Sequence, residues 1–160
     1  MRYLRLVPGR LGILIMEGQL SRAHGVCLKA ITMKAVMGEA HVIMDFKGVD
    51  NMGPECLRPI CEAHRASVIM KHELSVFGLS NTVLARALAE SEFTRASNCV
   101  RQESLRCCLF GMQGDGYMAN VFAEESSLLF ALKRFPELKH SLLVRSGGIH
   151  APGQEGGNNA

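Results

Sequence analysis

A chain of 160 residues is long enough for one domain with its own core and too short to expect two. With 48% hydrophobic residues, 21% charged residues and a net charge of +3, the composition is that of a globular protein. It has neither the basic cluster of a nucleic-acid binder nor an apolar run near the roughly 20 residues that span a bilayer, so no nucleic acid partner and no direct membrane insertion are expected. The start, MRYLRLVPGRLGILIMEG, turns from basic to apolar, but Pro8, Gly9 and Arg10 interrupt it. No small-residue cleavage site follows, so a signal peptide is not expected and a cytoplasmic location is.

The six cysteines are Cys27, Cys56, Cys61, Cys99, Cys107 and Cys108. Without an export signal they are expected to be reduced. No CxxC pair occurs, and Cys56, Cys61 and His64 fit small core and helix residues better than a metal site. Neither a metal nor a cofactor is expected.

Residues 3–7 alternate and read as a short strand. Pro8-Gly9-Arg10 reads as a turn and 12–18 as a second strand, so the two make a hairpin. Residues 21–39 change to helical spacing. Ala23, Val26, Ala30, Met33 and Met37 form the expected apolar stripe, with Ser21 as N-cap and Gly38 near the end. Gly25 weakens the first turn by about 1 kcal/mol relative to alanine.

Residues 40–46, AHVIMDF, are nearly all apolar, as in a central strand covered on both faces. A polar corner follows, Asp50-Asn51-Met52-Gly53. Asp50 or Asn51 can cap the next helix, with Pro54 in its first turn. That helix is expected over 55–73, with Leu57, Ile60, Cys61, His64, Val68 and Met70 on one face and a bend at Pro59. Residues 74–79 read as a strand. Residues 81–91 read as a helix with Val83, Leu84, Ala87 and Leu88 inward and Arg86 and Glu90 outward.

Residues 93–119 resist assignment. Residues 101–110 fit a short helix or a strand. GMQGDGYM, from 111, is glycine-rich but lacks the lysine and hydroxyl of a phosphate loop. Residues 120–122 fit a short edge strand. Residues 123–135 fit a helix with Glu124 and Glu125 at its positive end, Lys133 and Arg134 at its negative end, and Leu128, Ala131, Leu132 and Phe135 buried. The tail, 144–160, is expected to be disordered. Strands alternating with helices make an α/β domain with parallel pairing.

This order, with this corner, resembles the STAS domain, the family named for sulfate transporters and anti-sigma factor antagonists. ILIMEGQLSRA resembles its second strand and first-helix entry. VIMDFKGVDNMGPECLRPICEAH resembles its central strand, corner and second helix. LSVFGLSNTVLARALAES and VFAEESSLLFAL resemble its fourth strand with third helix and its closing strand with helix. The resemblance implies a STAS-like mixed sheet of about five strands with four or five helices. It implies a single domain over 1–143 with an insertion at about 93–119.

It also implies a function. The family's corner carries a serine or threonine that a partner kinase phosphorylates in anti-sigma factor antagonists. Here Asp50 and Gly53 match, but Asn51 and Met52 carry no hydroxyl. The resemblance therefore implies a non-enzymatic interaction module that binds an anti-sigma factor or switch-type serine kinase through Asp50, Asn51, Met52 and Gly53. It would do so without phosphorylation at Asn51, and Ser80 and Thr82 are the nearby hydroxyls against which that is tested. A plain helix cap is the structural alternative for the corner. A STAS component of a larger assembly or transporter is the alternative within the family. Outside it stands a small nucleotide-binding α/β protein, with the loop at 111–116 as its local support. No GxSxG or other nucleophile signature points to catalysis.

Overall fold

The computed structural model describes residues 1–90 and 126–141. Strand β1 (Arg2–Val7) turns through Pro8-Gly9-Arg10 into β2 (Leu11–Leu20), and the two pair antiparallel. Helix α1 (Arg22–Gly38) crosses to β3 (His41–Met52), which pairs parallel with β2. A 3-10 turn (Pro54–Cys56) leads into α2 (Leu57–Ile69), then β4 (Glu73–Phe77), parallel to β3, and α3 (Asn81–Ala89). Helix α4 (Ser127–Arg134) and a second 3-10 turn (Pro136–Leu138) complete the described residues. The sheet order is β1-β2-β3-β4. This mixed α/β architecture has the element order expected from the sequence. Four strands are described where about five were expected, because the expected strand at 120–122 lies outside the described residues. So do the insertion and the tail.

The sheet is covered on both faces, which is why β3 reads as almost continuously apolar. Leu14, Met16, Val42, Met44, Phe46, Leu74 and Val76 face α1, α2 and α3. Leu11, Ile13, Ile43 and Phe77 turn the other way, onto Ala131, Phe135 and Leu138.

Four expectations needed correction. Helix α1 buries Gly25, Leu28, Thr32, Ala35 and Val36, whereas Ala23, Val26, Ala30 and Met37 are exposed and Met33 is half-buried. The buried stripe has the same three- and four-residue spacing, and its polar member is satisfied internally because the Thr32 hydroxyl donates to the Leu28 carbonyl at 2.6 Å. Gly25 faces the 3-10 turn before α2, and a Cβ there would make an ordinary contact, 3.4 Å, with the Glu55 carbonyl oxygen. Pro59 falls in the first turn of α2, where a helix tolerates the missing N–H, so the expected mid-helix bend has no cause. On α2, Leu57, Ile60 and Cys61 are buried as expected, but Ala63 and Ser67 complete the stripe and Met70 is exposed. On α4, Ala131 and Phe135 are buried and Leu132 is half-buried, while Leu128 is exposed. Helix α3 matches its expected faces.

Candidate functional site

In a parallel sheet, the loops leaving the carboxyl ends of the strands share one edge, the usual place for a site. Here β2 and β3 run to that edge together. Leu20 pairs with Met52, and the Gly53 N–H donates to the Leu20 carbonyl at 2.7 Å. The pairing holds Asp50, Asn51 and Met52 in extended backbone, so β3 continues through the expected corner. Gly53 then precedes the 3-10 turn with no side-chain cap, and α2 likewise starts without one. The expected capping role of Asp50 and Asn51 is therefore corrected.

The four residues do different things. Asp50 is exposed and Gly53 half-buried. The Asn51 Oδ1 accepts a long hydrogen bond, 3.4 Å, from Arg86 Nη1 of α3. Met52 is buried in the main core and presents no side chain to a partner. The reachable corner is thus Asp50, Asn51 and Gly53, with Arg86 beside them. Arg86 was expected only to face outward. The signal for its role was its place on the helix that follows β4 at the same edge.

Behind the corner Cys56 is anchored inside, with its Sγ 3.8 Å from the carbonyls of Leu20 and Ser21. Burial, with a smaller contribution from Glu55, pushes its thiol up to about 11, so it stays protonated and unreactive near neutrality. At the start of α1 the Ser21 N–H donates to His24 Nδ1 at 3.1 Å, which makes Ser21 the expected N-cap residue. Between α1 and α2 opens a groove of about 540 Å³, with Arg22, Val26, Lys29, Glu55, Arg58 and Glu62 on its walls.

The histidines lie elsewhere. His41, His64 and His72 line a cavity of about 430 Å³ with Lys71, Glu73 and Arg134, at the amino ends of β3 and β4. The His41 ring packs on Phe135 at 4.1 Å, and its Nδ1 is buried, without a hydrogen bond, 3.8 Å from Glu73 Oε2. Helices α1, α2 and α4 all end near this cavity. Its basic groups complement the partial negative charge of those ends. His72 Nδ1, for example, donates to the Val36 carbonyl of α1 at 2.8 Å. No group of three or more His, Cys, Asp or Glu side chains that could hold a metal ion occurs among the described residues. Nor is any helix among them long and apolar enough to cross a membrane. The glycine-rich loop at 111–116 lies outside the described residues.

No family model and no curated protein matches the chain. Among solved structures it is similar to that of the anti-sigma factor antagonist SpoIIAA in its unphosphorylated form. The identity is 13% and the TM-score 0.48, over 55% of this chain and 76% of that one.

Proposed function

We propose that this chain is a non-enzymatic protein-interaction module of the STAS kind, acting in the cytoplasm, and that Asp50, Asn51 and Gly53 form a fixed contact for a regulatory partner. The partner class is an anti-sigma factor or a switch-type serine kinase. One observation carries the reading. The corner that resembles the family's phospho-switch stands at the carboxyl ends of β2 and β3, accessible at Asp50, with an amide at Asn51 and a buried thioether at Met52 where a hydroxyl would be needed. A surface of this kind binds constitutively. Phosphate adds about −1.5 to −2 charge to a switch of this type, and this corner has no atom to receive it.

The test is recovery of partners from a lysate by wild type, Asp50→Lys and Asn51→Asp, each with a thermal melt to establish folding. The first substitution reverses the exposed charge, and the second places a carboxylate against Arg86. Both are expected to reduce the recovered partner about tenfold or more, as at an interface centre. If both variants fold and keep every partner, the corner is not the contact. A melting temperature that rises with added nucleotide would instead favour a nucleotide-binding protein.

A further inference from the structure

Among the described residues, the most exposed large apolar side chains are Val26, Ile69 and Met37, at 78%, 69% and 65%. All three lie on α1 or α2, which pack side by side on one face of the sheet. The helices run in register: Gly25 meets Glu55, and Lys29 Nζ bonds Glu62 Oε2 at 2.9 Å. Ile69 follows Glu62 by two helical turns, which sets it level with the last turns of α1 that carry Met33 and Met37. Val26 thus lies on the wall of the groove between the helices, and Met37 and Ile69 stand exposed farther along the same pair of helices, beyond the residues that line it.

Charge on this face is one-sided. Helix α1 has Arg22, Lys29 and Lys34 and no acidic residue along its length, and α2 adds Arg58 and Arg65. The carboxylates on this face are Glu55 and Glu62, and Glu62 is already held by Lys29 and Arg58. Arg22, Lys34 and Arg65 have no ion pair with a described residue.

We propose that the outer groove of α1 and α2 docks an amphipathic helix of a partner protein, with its apolar stripe flanked by Asp and Glu. A concave channel between parallel helices, with Val26 on its wall and Met37 and Ile69 exposed farther along the same helices, fits the helix-in-groove mode of recognition. A second copy of the chain fits less well, because a two-fold contact would set the same basic flank against itself. An anionic bilayer fits less well too. Interfacial helices present Trp, Phe and Leu on a broad face, whereas this face offers valine, alanine, methionine and isoleucine around a channel. The surface is separate from Asp50 and Asn51, and the inference does not rest on the proposed role of the corner.

The test is selection of helical peptides, from a phage-displayed library randomised at the positions flanking a fixed apolar stripe, on the full chain. The selected flanks should be enriched in Asp and Glu. In fluorescence anisotropy, Met37→Glu and Ile69→Glu should each weaken the best peptide about tenfold or more while leaving the melting temperature unchanged. Lys34→Glu with Arg65→Glu should weaken it and flatten its salt dependence. Asp50→Lys should bind it as wild type does, which separates this surface from the corner. Neutral or basic selected flanks, no selected peptide, or full binding by both glutamate variants would overturn the proposal. So would dimerisation of the free chain, or capture of phosphatidylserine vesicles, that those variants abolish.

Discussion

Gly78 shows how much one residue can decide. It follows β4 with a φ of +69°, in the left-handed region, and a Cβ there would lie 2.9 Å from both Cα and Cβ of Lys47 on β3. An alanine would meet backbone strain of about 1–2 kcal/mol and a clash with a strand that cannot move away cheaply. Gly78→Ala is expected to destabilise the fold by at least about 2 kcal/mol, read as a lower urea midpoint; an unchanged midpoint would show that the segment after β4 can shift away from β3 there. Glu39 poses a different problem, a fully buried carboxylate just past α1. The charge is met from β1, where the Tyr3 hydroxyl donates to Oε1 at 3.0 Å and Arg5 Nε donates to the same oxygen at 2.5 Å. Burial first, and then the Glu39 hydrogen bond and charge, push the Tyr3 phenol up to about 12. The pair thus ties the first strand of the hairpin to the first crossover helix.

Helix α1 carries two stripes with the same period, and the structure separates their roles. Leu28 is fully buried while Val26 stands in solvent. Leu28→Ala should therefore cost about 2–5 kcal/mol and Val26→Ala less than about 0.5 kcal/mol in equilibrium unfolding; the reverse ranking would place the other stripe against the sheet. The sequence shows both stripes and cannot rank them, since alanine and methionine score as apolar while a buried threonine does not. Elements defined by local pattern were legible, among them the hairpin, the centre of β3, and α3 with its inward Val83, Leu84 and Ala87. The second half of β3 was not. Lys47, Gly48, Asp50 and Asn51 there look like a turn around the buried Val49, and pairing of Gly48, Val49, Asn51 and Met52 with the end of β2 keeps the segment extended. The corner was found from the change of apolar to polar residues, but its partner Arg86 lies 35 residues away in sequence. Contacts of that range leave no periodic trace.

On the scale of the whole molecule, the sheet depends on two unlike layers. Helices α1, α2 and α3 cover one face with the larger core, while α4 and the turn after it cover the other with Ala131, Phe135 and Leu138. Polar contacts at one edge help fix this second layer: Arg134 bonds Glu73, and Phe135 packs on His41. Burial lowers the pKa of His41 from its usual 6.5, outweighing Glu73 and Glu137, which raise it; Arg10 and His72 lower it further. The unfolded chain therefore takes up this proton at a higher pH than the folded one. The stability that neutral His41 contributes is complete above about pH 6.5 and is lost as the pH falls through the lower, folded value. Acidification should loosen the seam between α4 and β3 before it touches the larger core. Urea midpoints of wild type should fall between about pH 7.5 and pH 5.5 by more than those of His41→Phe, which keeps a ring against Phe135 but cannot titrate. If the two proteins lose stability in parallel, the acid sensitivity belongs to other groups and the seam is held by its apolar contacts alone.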